Sequence, residues 1–243
     1  RLGIPEGRWV YLRGCGDATD QWFFTDRVDY HSSPAIRAVG QRALRMAGIT
    51  IDDIACFDLY SCFPSAVQIA RDMLGIAPGD PRPLTVTGGL PYFGGPGNNY
   101  VTHSVATMVE RLRTDRGKIG LVTANGWYVT KHSAGIYSTD PPTSAWQRTS
   151  PSIDQAQIDA EPHAAFTDAP SGGATVETYT VLFDRDGAPE RGIVVGRLAD
   201  DRRFIANTPA DRRTLEFMTK HEMVGTTGAV RATDGGTNLF TPA

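Results

Sequence analysis

Apolar positions recur at helical spacing in SSPAIRAVGQRALRMAG, where Ile36, Val39, Ala43, Leu44 and Ala47 share one face. Ser33 as N-cap, Pro34 at the first helical position and Gly48 as stop complete a predicted helix. Residues 55–60 (ACFDLY) form a short apolar run, the pattern of a strand buried on both faces of a parallel sheet. SCFPSAVQIARDMLG follows, with Val67, Ala70 and Leu74 on one face, Pro64 near its start and Gly75 at its end, so strand turns directly into helix.

Upstream, residues 8–13 (RWVYLR) predict a short strand and the polar run GCGDATD a loop. PLTVTGG predicts another strand, followed by a glycine-rich loop. Val101, Val105, Met108, Val109 and Leu112 then make an apolar stripe for a helix ending near Arg113. KIGLVTANGW predicts a buried strand, and YVTKHSAGIYST its antiparallel partner across a turn at Asn125–Gly126. The order is β-α-β-α-β-α-β-β, a layered α/β unit over residues 1–140. Residues 141–172, rich in Pro, Ser, Ala and Asp without periodicity, predict a linker or irregular excursion. Residues 173–243 are short β-rich runs broken by DG, GG and AP turns, with one helix near 210–220. They predict a small all-β, OB-like barrel.

The chain has 243 residues, 40% of them hydrophobic, which suits a globular protein. A net charge of −3 with both signs scattered offers no basic stripe, so nucleic acid is not an expected partner. No apolar run could span a bilayer, and three cysteines without a C-x-x-C pair suit reduced thiols, so a cytoplasmic location is expected. The opening RLGIPEGRWVYL, with loop chemistry and no methionine, carries the expectation of a chain entered partway through a larger protein.

The candidate chemistry centres on GGLPYFGGPGNNYVTHS, residues 88–104. The backbone amides of Gly94, Gly95 and Gly97 before a helix make a cradle for a thioester or carboxylate oxygen. Asn98 and Asn99 fit the same cradle or serve as helix caps. Tyr60 and Cys62 stand at the carboxyl end of a predicted parallel strand, where open α/β sheets place ligands. His103 stands early in the following helix and could supply an imidazole to the loop. Lys131 and His132 read as structural or surface residues, and the two DRR runs as solvated faces. His163 and His221 lack a second ligand at metal spacing.

The order of elements and three local motifs over residues 1–140 resemble the C-terminal half of a thiolase of the sterol-carrier-protein-type or bacterial acetyl-CoA acetyltransferase-like branch. DLYSCFPSAVQIA resembles the turn that holds the family's NEAF or HDCF motif, GGLPYFGGPGNNY the glycine-histidine-proline loop, and LVTANGW the strand end bearing C-x-G. The β-rich tail resembles the additional C-terminal domain of a mycobacterial-type branch.

The resemblance implies an acyl-CoA ligand, with CoA as part of the substrate and no further cofactor. It implies a homodimer and an N-terminal half carrying the nucleophilic cysteine, without which this chain is inactive. It places Asn125 with the substrate-binding residues and Tyr60 and His103 in catalysis. Tyr60 stands where the family has Asn or His, Gly95 where it has histidine, and Ala124 where it has the acid/base cysteine. Glycine and alanine supply neither proton shuttle nor oxyanion donor, which argues against ordinary thiolysis. A retro-aldol lyase acting on steroid side-chain acyl-CoA, or a non-catalytic acyl-CoA, lipid or scaffold protein, are the alternatives.

Overall fold

The computed structural model describes residues 3–147 and 149–243. The chain forms two compact units, one running to Trp22 and resuming over Asp29–Glu161, the other made of Phe23–Val28 and Pro162–Ala243.

The first unit is built on four strands, β1 (Tyr11–Thr19), β2 (Cys56–Asp58), β3 (Ile119–Gly126) and β4 (Lys131–Ser138), in the order β1-β4-β3-β2. β2 runs parallel to β3, and β4 is antiparallel to both β1 and β3. Its helices are α1 (Pro34–Ala47), α2 (Pro64–Met73), the single turn α3 (Leu90–Phe93), α4 (Tyr100–Thr114) and α5 (Ser152–Asp159).

The expected caps of α1 are present. Ser33 Oγ accepts from the Ile36 amide at 3.1 Å, and Gly48 ends the helix in the left-handed region at φ 68°. β3 is covered on both sides, with Leu121 in the cluster of Ala35, Val39, Phe57 and Ile136, and Val122 in that of Met108 and Leu112. Alternate residues of one strand thus serve two helical layers, which explains its unbroken apolar run.

Four sequence readings are corrected here. The GCGDAT run is strand rather than loop, because its small residues let α1 lie on the strand backbone. A Cβ on Gly14 would stand 2.2 Å from the Ala43 carbonyl oxygen. The hairpin does not turn at Asn125–Gly126, since Asn125 pairs with His132 and Gly126 with Lys131. The turn falls on residues 127–130, where Trp127 and Val129 adopt φ 57° and 53°. Residues 83–89 are not a strand, for a reason that lies with Asp58. Within the stretch expected to be linker, α5 forms and docks, Gln155 Oε1 accepting from the Thr19 amide at 2.8 Å and Asp154 pairing with Arg42.

The second unit is a closed barrel in the order β5-β6-β7-β9-β8. Its strands are β5 (Ser171–Phe183), β6 (Pro189–Leu198), β7 (Arg203–Asn207), β8 (Thr227–Ala232) and β9 (Asn238–Pro242), with α6 (Arg212–Lys220) between β7 and β8. Val176, Val194, Phe204, Met218, Val230 and Phe240 fill it.

The reading of both DRR runs as solvated fails at Arg203, which is fully buried. Its guanidinium donates to both Glu177 carboxylate oxygens at 2.6 and 2.7 Å and to the carbonyls of Thr25 and Arg27 at 2.6 Å each, tying residues 23–28 to the barrel. Burial alone would raise the Glu177 carboxyl, but the bonds and charges of Arg203 and Arg197 hold it below its ordinary value.

Candidate functional site

β1, β2 and β3 all point their carboxyl ends at one edge of the sheet, and the three segments singled out in the sequence meet there. Just beyond β2, the Tyr60 amide donates to Thr123 Oγ1 of β3 at 2.9 Å. Ser61 Oγ accepts from the Leu90 amide at 2.9 Å, tying the β2–α2 turn to the start of the glycine loop. Gly89, with φ 83°, has room for no side chain there, since a Cβ would lie 2.9 Å from Ser61 Oγ. Cys62 Sγ accepts from Asn125 Nδ2 at 3.3 Å, tying the same turn to the end of β3.

A buried carboxylate that the sequence reading passed over organises this edge. Asp58, the last residue of β2, has no solvent exposure. It accepts from six donors: Ser104 Oγ (2.7 Å), Tyr100 Oη (3.0 Å), Thr87 Oγ1 (3.0 Å), the Val86 and Thr87 amides (3.1 Å each) and Thr85 Oγ1 (3.2 Å). This is why TVT is no strand: its amides turn toward a side chain instead of a ladder partner. It is also why α4 buries Tyr100 and Ser104 in one row with Met108 and Leu112, a row that includes a serine the apolar stripe did not predict.

The glycine loop is open to solvent from residue 91 to residue 99. The amides of Gly94, Gly97 and Asn99 donate to carbonyls of their own loop, those of Leu90, Gly95 and Pro96. Of the cradle expected from the sequence, Gly95 and Asn98 therefore have the amides left to face a ligand. Asn99 stands at the N-cap of α4 without capping it, its Nδ2 lying 3.2 Å from His103 Nε2. The His103 ring packs on Phe93, Phe93 on Tyr100 and Tyr100 edge-on against Tyr60, with centroids 5.5, 5.8 and 5.5 Å apart. His103 is thus joined to Tyr60 through two intervening rings.

Burial raises the Tyr60 phenol above its ordinary value, and Cys62 nearby adds to this. Burial likewise raises the Cys62 thiol against the opposing hydrogen bonds from Phe63 and Asn125. At neutral pH both are neutral donors, and neither is a ready nucleophile.

Two further residues belong to this edge and were not expected there. His132, opposite Asn125 across the hairpin, is buried, and so is Asp20 just past β1. His132 Nε2 lies 3.3 Å from Asp20 Oδ2. Asp20 also accepts from Ser33 Oγ and from the Ala35 amide at 2.9 Å, so it fixes the start of α1. Among the described residues, Asn125 Oδ1 is buried without a hydrogen bond, and so is His132 Nε2 apart from its contact with Asp20. Both residues line a cavity of about 20 Å³ shared with Tyr60 and Ala124, space for a single water, and an open groove of about 630 Å³ on the other side. Had the turn been placed at 127–130, the pairing of Asn125 with His132 would have exposed this pair in the sequence. Trp127 and Tyr128 on the neighbouring turn and Trp22 beyond β1 stand exposed, Trp22 packing edge-on against Trp127 at 6.3 Å and Trp127 tilted against Tyr128 at 6.1 Å.

Residues 155–235 match the family model for the thiolase-like protein type 1 additional C-terminal domain. The whole chain matches the crystal structure of a monomeric SCP2-thiolase-like protein type 1 from Mycobacterium smegmatis at 43% identity and TM-score 0.89. It spans 52% of that protein's length. A second match, at 22% identity and TM-score 0.34, is to peroxisomal 3-ketoacyl-CoA thiolase of Saccharomyces cerevisiae, over 42% of this chain and 29% of that one. That likeness is too slight to support any inference. No curated protein sequence matches the chain significantly.

Proposed function

The chain belongs to the thiolase superfamily, as a C-terminal-type α/β unit followed by a type 1 additional domain, and on that footing we propose that its sheet edge binds the carbonyl end of an acyl-CoA thioester without performing thiolysis. One observation carries the reading. Three segments far apart in sequence, the β2–α2 turn, the glycine loop and the end of β3, are tied together at a single edge furnished with neutral hydrogen-bond donors.

The thioester oxygen is an acceptor, and the Tyr60 phenol and the Gly95 and Asn98 amides are donors that need no change of protonation to meet it. Gly95 and Ala124 provide no proton shuttle, and Cys62 is held as thiol, so the site polarises a carbonyl rather than attacking it. The exposed aromatic residues on the β3–β4 turn offer the acyl chain an apolar surface, and the unusual backbone of Trp127 and Val129 is what holds them outward.

Titration of acetyl-CoA and longer acyl-CoAs by calorimetry, with wild type and Tyr60→Phe, tests this. Removal of the phenol should weaken binding about three- to tenfold, the worth of one neutral hydrogen bond to the carbonyl. Unchanged affinity in the mutant would remove Tyr60 from the site.

A retro-aldol cleavage of a 3-hydroxyacyl thioester is the second reading, favoured by the same protonated phenol. Loss of the 3-hydroxyl proton to a base and rupture of the Cα–Cβ bond send an electron pair into the thioester as its enolate. Tyr60 could stabilise that enolate by hydrogen bonding. Release of an aldehyde or ketone from such a thioester would distinguish turnover from binding alone.

The barrel is read as OB-like, because its strand order and the helix between its third and fourth strands suit that architecture. The M. smegmatis protein is described as monomeric. That description supports a monomer here over the homodimer the resemblance implied.

A further inference from the structure

We propose that a second cavity, in the α/β unit, binds a phosphate group. Arg13 of β1 and Arg42 and Arg45 of α1 bring three guanidinium groups to one open cavity of about 350 Å³, completed by Ser144, Trp146 and Thr149. Arg13 is six residues before Thr19 on the same strand, about 20 Å along it. This cavity and the acyl site are therefore separate, and neither proposal rests on the other.

Among the described residues, no carboxylate lines the cavity. The acids within reach stand behind it: Asp154 bonds Arg42 Nε and lies 4.0 Å from Arg45, and Asp17 attracts Arg42 more weakly. Three guanidinium charges against these two carboxylates leave the cavity positive.

The donors are also incompletely used. Arg42 Nη1 donates to Thr149 Oγ1 at 2.5 Å, while Arg13 reaches the protein through one long bond from Nη2 to the Ala47 carbonyl at 3.4 Å. Arg13 Nε is buried and has no hydrogen-bond partner among the described residues. A buried donor left unmade is costly, and an anion that meets it recovers that cost.

A phosphate dianion suits this set better than a carboxylate. Its three free oxygens can accept from separate guanidinium groups and from hydroxyls such as Ser144, whereas a planar carboxylate is satisfied by one fork. Trp146, at the cavity wall, gives a surface on which an aromatic ring attached to that phosphate could stack.

The test follows the Arg Nε–Hε resonances of the ¹⁵N-labelled full chain by NMR during titration with inorganic phosphate and, separately, AMP, at ionic strength held constant with chloride. The Arg13 signal should shift and saturate with both. Tighter AMP binding assigns an aromatic phosphate ester and equal binding assigns the bare group; either supports the proposal.

Arg45→Gln, a change at a side chain 63% exposed and so safe for folding, should weaken binding about tenfold, and Arg13→Gln at least as much. Arg213→Gln, on the barrel helix α6, should change nothing. A shift that never saturates, or saturable binding that survives Arg45→Gln, would overturn the assignment.

Discussion

Replacing Asp58 should unfasten the candidate site and much of the α/β unit with it. Its Oδ2 accepts from the Val86 and Thr87 amides, which can only donate, while its Oδ1 accepts from the Ser104 and Tyr100 hydroxyls, which can turn to accept. In Asp58→Asn the carboxamide can therefore keep its oxygen on the two amides and offer its NH₂ to the hydroxyls. What it loses is the extra strength of bonds to a charged acceptor, in all about 2 kcal/mol.

Asp58→Ala leaves two part-buried amides and several hydroxyls without the buried acceptor that held them, at about 1–3 kcal/mol for each unpaired group, so a loss of about 5 kcal/mol is expected. That is a large part of the whole stability of an ordinary domain. Urea unfolding followed by tryptophan fluorescence measures this cleanly, because Trp9, Trp22, Trp127 and Trp146 all lie in the α/β unit. The predicted order is wild type, then Asn, then Ala. An Ala variant within about 1 kcal/mol of wild type would refute the claim that this carboxylate organises the edge.

Arg203→Met should destabilise the barrel by about 3 kcal/mol or more, since it removes the buried half of the Glu177 ion pair and the donor to the Thr25 and Arg27 carbonyls, leaving Glu177 to Arg197 alone among these two arginines, and amide exchange in β6 would report it. Because the folded protein holds Glu177 below its ordinary value, the pair's contribution is full above the unfolded carboxyl's titration and fades as pH falls through the folded one. Glu177→Gln should therefore flatten the acid limb of barrel stability below about pH 4.5. Gly14→Ala should cost about 2 kcal/mol or more in the same tryptophan-monitored unfolding, because the new methyl meets the Ala43 carbonyl of α1. Gly95→Ala should cost under about 1 kcal/mol, its Cβ meeting only Leu90 Cδ2 at 3.7 Å. The Cys62 thiol, raised by burial, should react with a disulfide reagent more slowly at pH 8 than a free thiol does.

Local signals in the sequence were sufficient wherever local chemistry decides the structure. Ser33, Pro34 and Gly48 bracket α1 because capping and stop signals act within a few residues. They failed where a distant partner decides. The glycines of β1 speak of a loop until α1 is known to lie on them. The amides of Val86 and Thr87 speak of a strand until Asp58 is found to hold them. Arg203 reads as a surface charge until Glu177, 26 residues away, closes over it.

At the site, Tyr60, Cys62 and Asn125 come to one edge because their motifs sit at strand ends, which the sequence does reveal. The Asp20 and His132 contact depends on hairpin register, which a misplaced turn concealed.

The most direct measurement is a crystal structure of the protein with a non-hydrolysable acyl-CoA thioether or amide analogue. The account predicts the analogue's carbonyl oxygen within about 3.2 Å of the Tyr60 hydroxyl or of the Gly95 or Asn98 amide. An ordered analogue whose carbonyl lies elsewhere, with those donors still facing solvent, would contradict it.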